Sequence, residues 1–159
     1  MSKKAVIPGS FDPITNGHLD IIRRTAGMFD EVVVLVMLNS EKKYMFGNMR
    51  VEMVRAACAD LANVRVEESG GLLCDYVNQN RIDVIVKGVR SCKDFEYEKD
   101  MAQINCRIGG CETLLITAKP ELEFCSSTFV REMLRYGRDV SGYVPRACLD
   151  FYVKLPKQQ

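Results

Sequence analysis

The chain contains one histidine, His18, which lies in the segment "PGSFDPITNGHLD" at 8–20. Pro8 and Gly9 end an apolar run and let the backbone turn sharply, so that nearby amides can face outward. Behind this turn the histidine falls in the first turn of a helix, where unpaired amides and partial positive charge favour a phosphate. Its imidazole can donate a hydrogen bond to a phosphate oxygen, or it is only a solvated residue of the helix start. The spacing alone leaves both interpretations open.

Basic residues follow two further apolar runs of the chain. Lys42 and Lys43 come after one run, and Lys87 and Arg90 stand in the segment "KGVR" that ends another. Basic side chains at strand ends suit a ligand with more than one phosphate, through charge-assisted hydrogen bonds. Gly88 would let the backbone pass close to such a ligand. Taken singly, each basic residue fits an ordinary surface charge, so it is their joint placement that favours a phosphate site.

Side-chain oxygens stand at two predicted helix starts. Thr15 or Asn16 can cap the helix that contains the histidine, and Gly17 permits a close approach there. The segment "CSSTFVRE" at 125–132 places three hydroxyls directly before an amphipathic stretch. Hydroxyls and free amides at a helix start can bind phosphate oxygens, and N-capping alone is the alternative. The segment "DFEYEKD" at 94–100 fits a charged first helical turn with an aromatic anchor equally well.

Apolar runs and helical spacing alternate along the chain. The β-branched run "DEVVVLVMLN" at 30–39 is apolar throughout, as strands buried on both faces of a parallel sheet are. Before this run, Leu19, Ile22, Ala26 and Phe29 recur at helical spacing. Strands are predicted at 4–9, 30–39, 63–68, 83–88 and 112–118, and helices at about 19–29, 51–61, 72–80, 94–108, 127–137 and 145–155.

This alternation predicts an α/β fold, namely a Rossmann-like, doubly wound parallel sheet of five strands with helices on both faces. A chain of 159 residues without an internal repeat or a low-complexity linker fits one domain over residues 1–159. Ligands of such sheets bind beyond the carboxyl ends of the strands. The basic and hydroxyl-bearing loops described above follow strands, so we expect them to form one site.

Charge and cysteine content argue against several classes of function. With 22 basic and 21 acidic residues, the chain has no bulk attraction for nucleic acid or for an anionic membrane. We find no signal-peptide pattern and no run long enough to span a membrane, so we expect a cytoplasmic location. Seven cysteines without a C-x-x-C pair, beside one histidine, argue against a disulfide framework or a zinc site. No metal site made of side chains is expected, and Mg²⁺ brought in by a phosphate ligand is the expected cofactor.

Four segments of the chain match the pattern of a known family. "TNGH" at 15–18 matches the [HT]-x-G-H signature of the nucleotidyltransferase superfamily, and "CSSTFVR" at 125–131 is similar to its second signature, I-S-S-T-x-x-R. Beyond these signatures, four segments resemble the bacterial phosphopantetheine adenylyltransferase family: "PGSFDPITNGHLDIIRR" at 8–24, "EKKYMF" at 41–46, "KGVRSCKDFEYE" at 87–98 and "SSTFVRE" at 126–132. The resemblance runs over nearly the whole chain, and four segments in this order are highly specific.

The resemblance implies a reaction. ATP and 4′-phosphopantetheine would give dephospho-coenzyme A and pyrophosphate, reversibly, in the penultimate step of coenzyme A biosynthesis. The acceptor phosphate would attack the α-phosphorus of ATP in line, without a covalent enzyme intermediate. The resemblance also implies a homohexamer and implies coenzyme A as a feedback inhibitor.

Matched positions carry the family's residue roles onto this chain. The resemblance implies His18 as the transition-state stabiliser at the ATP phosphates, with Lys42 and Arg90 as further catalytic residues. The implied ATP-binding residues are Ser10, Phe11, His18, Gly88, Val89, Arg90, Glu98, Leu122, Glu123, Phe124, Cys125, Ser126, Ser127 and Thr128. The implied phosphopantetheine-binding residues are Ser10, Lys42, Leu73, Lys87, Met101, Asn105 and Glu132.

Three residues depart from the family's usual pattern. Ser10 stands where the family has Thr, which keeps the hydroxyl and loses a methyl group. Lys87 stands where Arg is common, so the charge is kept but the two-pronged grip on a phosphate is lost. Cys125 stands where Ile is usual, and its small apolar thiol should still pack against adenine. None of the three removes a group that the reaction needs.

Two other functions remain open at this point. A sister nucleotidyltransferase, acting on nicotinamide mononucleotide or using CTP with a small alcohol phosphate, would share the histidine loop and the Ser-Ser-Thr turn. The segment "KGVRSCKDFEYE" argues against it. A non-catalytic nucleotide-binding module is the second alternative, and the joint presence of His18, Lys42, Arg90 and Ser127 argues against that one.

Overall fold

Five parallel strands form one sheet in the computed structural model, which describes residues 2–153 of the chain. The strands are β1 (Lys4–Gly9), β2 (Glu31–Met37), β3 (Val64–Ser69), β4 (Val84–Val89) and β5 (Glu112–Thr117). Their order across the sheet is β3-β2-β1-β4-β5. Strands β2 and β3 therefore lie on one side of β1, and β4 and β5 lie on its other side, as in doubly wound sheets. The predicted fold class and the five predicted strands are confirmed.

Helices connect the strands close to the predicted positions. Within residues 2–153 they are α1 (Asn16–Ala26), α2 (Met49–Ala57), α3 (Leu73–Gln79), α4 (Cys92–Gly109), α5 (Ser127–Arg135) and α6 (Leu149–Val153), with 3₁₀ turns at Pro120–Leu122 and Arg146–Cys148. Helices α1 and α2 end before Phe29 and Leu61, which we expected inside them. Both side chains still pack on the same core from the following loops, which explains why the helical spacing of apolar residues continued past each helix. The last two residues of the helix predicted at 145–155 lie outside the described residues.

The two faces of the sheet bury different apolar side chains. On one face, Ile7 of β1 and Val34 of β2 join the core beneath α1 and α2. On the other face, Val6 and Leu35 pack with Tyr76 of α3. Side chains on both faces of the central strands are removed from water, which accounts for the unbroken β-branched run that predicted a parallel sheet. Helices therefore cover both faces, as predicted.

The cysteines are free thiols, and no disulfide joins them. Cys58, Cys74, Cys111, Cys125 and Cys148 are buried, whereas Cys106 is half-buried and Cys92 is exposed. The interpretation of most of them as packed thiols is confirmed. In the part of the chain that the structure describes, we find no helix with the length and apolar character needed to cross a membrane.

One helix and one edge strand leave apolar side chains exposed. α4 is 18 residues long and buries none of them, and its exposed residues include Phe95, Tyr97, Ile104 and Ile108. The neighbouring strand β5 lies at an edge of the sheet and exposes Leu114. Apolar side chains grouped on adjacent elements are the usual mark of an interaction surface.

Gly88 of β4 has no room for a side chain because α1 packs against it. A Cβ atom built at this position would lie 3.0 Å from Cγ1 of Ile21. We predict that Gly88→Ala lowers the free energy of unfolding by about 1–3 kcal/mol, the usual cost of overpacking a core. Urea unfolding of the wild type and the variant measures this difference.

Gly142→Ala is the matched control, because a Cβ atom there meets no other atom within 4 Å. We expect it to change the free energy of unfolding by no more than about 0.5 kcal/mol. Gly88→Ala should cost less in an Ile21→Ala background than in wild type, since Ile21→Ala, although itself destabilising, removes the side chain that clashes. Equal stability of Gly88→Ala and wild type would contradict this account of the β4–α1 contact.

Candidate active site

A cleft of about 280 Å³ opens at the carboxyl ends of β1 and β4, where the loops after the strands meet. It is lined by the end of β1, the start of α1, the end of β4, one side of α4 and the start of α5. This is the position that the sequence predicted for a ligand. The predicted residues that line it are Phe11, His18, Lys87, Gly88, Val89, Arg90, Glu98, Cys125, Ser126, Ser127 and Thr128.

The other predicted site residues lie outside this lining. Ser10 is half-buried in the loop after β1, and Lys42 is exposed in the loop after β2. Leu73 is half-buried on α3 and packs against the core cluster of that face. The remaining ones lie as follows: Met101 and Asn105 are half-buried on α4, Leu122 is half-buried in a 3₁₀ turn, and Glu123, Phe124 and Glu132 are exposed.

His18 is held in one orientation by reciprocal hydrogen bonds with Thr15, the residue that caps α1. The backbone N–H of Thr15 donates to Nδ1 of His18 at 3.0 Å, and the backbone N–H of His18 donates to the Thr15 hydroxyl at 3.3 Å. That hydroxyl donates its own hydrogen to the carbonyl of Cys125 at 2.8 Å. Because Nδ1 accepts a hydrogen bond from the backbone, the ring carries its proton on Nε2.

The imidazole of His18 is uncharged at neutral pH. Burial, followed by the positive charges of Arg90 and Lys87, lowers its pKa to about 4. The ring therefore presents an N–H group to the cleft without adding a positive charge. A neutral N–H donor beside two basic side chains suits the binding of a phosphate oxygen.

The two basic side chains of the cleft are paired with carboxylates of α4. Nζ of Lys87 lies 3.2 Å from Oε1 of Glu98. Nε of Arg90 lies 3.0 Å from Oδ2 of Asp94, which also accepts the backbone N–H of Arg90 at 3.2 Å. Asp94 was missed in the sequence, although its spacing of four residues from Arg90 is the spacing of a helical ion pair. A phosphate that binds here must compete with these carboxylates.

The hydroxyls at the start of α5 have different partners. Ser126 caps the helix by accepting the backbone N–H of Phe129 at 3.0 Å, so the capping interpretation is correct for this residue. The hydroxyl of Ser127 donates to the carbonyl of Pro13 at 2.7 Å. The start of α5 is thereby attached to the loop after β1. The N-termini of α1 and α5 both border the cleft, and each supplies the partial positive charge that favours phosphate.

Buried and half-buried charged groups fix the loop between β1 and α1, and they were not predicted from the sequence. The carboxylate of Asp12 accepts the backbone N–H groups of Met45 and Phe46, each at 2.9 Å. The guanidinium of Arg131 donates to the carbonyl of Asp12 at 2.6 Å. Arg50 is only 2% exposed and donates to the carbonyl of Ser10. A charged residue at a buried position of a helix is the one signal that could have drawn attention to Arg50.

The described residues hold no cluster of three or more histidine, cysteine, aspartate or glutamate side chains that could ligate a metal ion. The acidic side chains in the cleft lining are Asp94 and Glu98, and each is paired with a basic residue. A divalent cation at this site would therefore be held largely by the oxygens of a bound phosphate ligand.

Comparison with known proteins identifies the class. A sequence model of the family described as Cytidylyltransferase-like matches residues 6–133. The bifunctional NMN adenylyltransferase/ADP ribose pyrophosphatase of Francisella tularensis has the same fold, with a TM-score of 0.74 at 16% identity over 100% of this chain and 51% of that chain. So does a candidate nicotinate-nucleotide adenylyltransferase of Vibrio parahaemolyticus, with a TM-score of 0.69 at 20% identity over 97% of this chain and 100% of that chain. The chain is a nucleotidyltransferase of the cytidylyltransferase-like class.

A closer relative identifies the particular family. The chain is 48% identical over 149 residues to the phosphopantetheine adenylyltransferase of Streptomyces coelicolor. The matched region covers 93% of this chain and 94% of that protein. It therefore belongs to the phosphopantetheine adenylyltransferase family. The resemblance that the four segments indicated is confirmed.

The protonation state of His18 is directly measurable, because the chain contains no second histidine. We predict that a long-range ¹H–¹⁵N NMR spectrum shows the proton on Nε2 and that the ring titrates near pH 4. The physical reason is the hydrogen bond to Nδ1 together with burial and the two nearby cations. The same protein unfolded in urea serves as the reference and should titrate near the ordinary value of 6.5. A proton on Nδ1, or a folded-state midpoint near 6.5, would show that this description of the site is wrong.

Proposed function

We propose that this chain transfers the adenylyl group of ATP to 4′-phosphopantetheine, reversibly, giving dephospho-coenzyme A and pyrophosphate. The observation that carries the proposal is the arrangement of His18, Lys87 and Arg90 in one cleft bordered by two helix N-termini. Membership of the phosphopantetheine adenylyltransferase family selects this reaction among those that such a cleft could serve. Because the reaction consumes ATP, it agrees with the cytoplasmic location expected from the sequence.

The proposed reaction needs no nucleophile from the protein. An oxygen of the acceptor phosphate attacks the α-phosphorus of ATP, and the bond from that phosphorus to the pyrophosphate oxygen breaks. The protein has to hold two anionic substrates in line and to stabilise charge as it spreads over the α-phosphoryl group and the leaving oxygen. We assign the Nε2–H group of His18 to a phosphate oxygen in the transition state. Arg90 and the N-terminus of α5 neutralise the ATP phosphates.

The remaining roles divide between the two substrates. We assign the acceptor phosphate to Ser10, Lys42 and Lys87, whose hydroxyl and ammonium groups supply donors. The half-buried side chains of α3 and α4 offer apolar surface to the pantetheine arm. The proposed contacts of this arm are Leu73, Met101, Asn105 and Glu132. The proposed contacts of ATP, besides His18 and Arg90, are Ser10, Phe11, Gly88, Val89, Glu98, Leu122, Glu123, Phe124, Cys125, Ser126, Ser127 and Thr128.

We propose that Mg²⁺ enters the site as part of the ATP substrate. The support is the pairing of both cleft carboxylates with basic side chains, which leaves the triphosphate as the main source of oxygen ligands. When bound, the ion would neutralise charge on the triphosphate.

Assembly into a homohexamer and feedback inhibition by coenzyme A are further parts of this proposal. The exposed apolar side chains of α4 and β5 support association between copies of the chain. The number six comes from the family resemblance alone. Inhibition by coenzyme A is chemically reasonable, since this molecule contains the phosphopantetheine group that the site would bind.

The proposed function is tested by following pyrophosphate release and the nucleotide product. Purified protein with Mg²⁺, ATP and 4′-phosphopantetheine should release pyrophosphate and form dephospho-coenzyme A, detected by mass spectrometry. Parallel mixtures contain nicotinamide mononucleotide as the acceptor, or CTP with glycerol phosphate, and should release none. Absence of pyrophosphate from the phosphopantetheine mixture would contradict the proposal, and release from another mixture would favour a sister activity.

We predict that His18→Ala lowers kcat by about 100-fold or more, the usual effect of losing one transition-state donor. His18→Gln is the matched control: glutamine can accept the Thr15 N–H group through its carbonyl oxygen and still present an N–H group to the cleft. It should retain clearly more activity than the alanine variant. Thermal unfolding followed by circular dichroism shows whether each variant is folded. Turnover of folded His18→Ala within a few-fold of wild type would remove His18 from this role.

A further inference from the structure

Arg50, the second residue of α2, is a buried cation whose partners are mostly backbone carbonyl groups. Its Nε donates to the carbonyl of Gly47 at 3.0 Å, and its Nη1 donates to those of Ser10 at 2.6 Å and Met37 at 3.2 Å. The guanidinium also lies over the ring of Tyr44, 3.6 Å from the ring centre. No carboxylate in residues 2–153 forms an ion pair with it.

The carbonyls that bind Arg50 belong to two different loops. Ser10 is the first residue after β1, whereas Met37 ends β2 and Gly47 lies just before α2. Arg50 therefore joins the β1–α1 loop to both ends of the loop that carries Lys42. This is the loop pair to which we assign the acceptor phosphate.

Further contacts close the loop around Lys42. The hydroxyl of Tyr44 accepts the backbone N–H of Asn39 at 2.9 Å, which shortens the span between the two ends. The carboxylate of Asp12, in the β1–α1 loop, accepts the next two backbone amides of the chain, those of Met45 and Phe46. Lys42 itself stays exposed, so it is free to reach a ligand while the base of its loop is held.

We propose that Arg50 is a positioning residue that sets the separation of Ser10 and Lys42, and so the geometry with which they bind the acceptor phosphate. The inference rests on the proposed function. An arginine suits this role because its planar group directs several N–H donors at fixed angles, which lysine does not do.

A purely structural role would have different consequences. If Arg50 only filled space in the core and bound carbonyl groups there, its replacement would lower the stability of the protein and weaken the binding of both substrates equally. A positioning role affects the acceptor substrate more than ATP, because Lys42 is assigned to the acceptor alone, whereas most of the proposed ATP contacts lie on β4, α4 and the segment leading into α5, none of which binds Arg50 by a hydrogen bond. The two roles are therefore separated by measuring the two substrates independently.

The test compares Arg50→Met and Arg50→Lys with wild type by isothermal titration calorimetry, with 4′-phosphopantetheine and MgATP titrated separately. We expect both variants to raise the Kd for 4′-phosphopantetheine by about tenfold or more, as a misplaced binding group does, and to change the Kd for ATP by less than about threefold. Steady-state kinetics should show the same split, with a raised KM for 4′-phosphopantetheine. Arg50→Lys should fail to restore binding, because the charge alone does not hold three carbonyls.

Arg55→Met is the matched control, since it makes the same change on the same helix at an exposed residue that forms an ion pair with Glu52. It should leave both affinities unchanged. If Arg50→Met does not fold, Tyr44→Leu tests the same point at a half-buried position by removing the ring beneath the guanidinium. It should raise the Kd for 4′-phosphopantetheine severalfold and leave the Kd for ATP unchanged.

The outcomes distinguish this inference from the proposed function. Wild type that does not bind 4′-phosphopantetheine would contradict the proposed function, and this inference with it. If the wild type binds this substrate, the variants decide on the positioning role alone. Folded variants that keep both affinities, or lose both equally, would overturn it.

Discussion

The hydroxyl of Thr15 is the contact on which the geometry of the cleft depends most. It accepts the backbone N–H of His18 and donates to the carbonyl of Cys125, so one oxygen joins the start of α1 to the segment before α5. The backbone of the same residue holds the imidazole through Nδ1. One residue therefore caps a helix, fixes a tautomer and brings two helix N-termini to one cleft. Gly17 makes this approach possible, because a Cβ atom there would lie 3.1 Å from the Cys125 carbonyl oxygen.

Around this contact, side chains bind backbone carbonyls of the β1–α1 loop from two sides. Ser127 and Arg131 of α5 bind the carbonyls of Pro13 and Asp12, while Arg50 of α2 binds that of Ser10. The loop is thus held whether or not a substrate is present. Donors that are already in place need no reorganisation when charge develops in a reaction, and this is where an enzyme of this kind gains most of its rate. In the proposed reaction, such preplaced donors would stabilise the charge of the transition state directly, and no covalent nucleophile would be needed.

The limits of prediction follow from the kind of information that each feature requires. The strands and helices could be predicted because β1 and β2 are buried on both faces, and burial leaves an apolar pattern in the sequence. The choice between Thr15 and Asn16 as helix cap could not be predicted, because both residue types cap well and the hydrogen bond to the carbonyl of Cys125 decides between them. Asp94 and Arg50 were missed for the same reason. Their roles come from tertiary partners, and a charged residue on a helix is ordinarily read as solvated.

The ion pairs of Lys87 with Glu98 and of Arg90 with Asp94 have a consequence for selectivity among anions. The two carboxylates balance the charges of the two cations and the imidazole is uncharged, so the helix N-termini are the remaining source of positive potential in the cleft. An anion that binds to either cation must displace a carboxylate that is tethered beside the base at a high effective concentration. A polyphosphate offers several oxygens at once and can displace both carboxylates together. A ligand whose phosphate oxygens reach both bases is therefore favoured over one that reaches a single base.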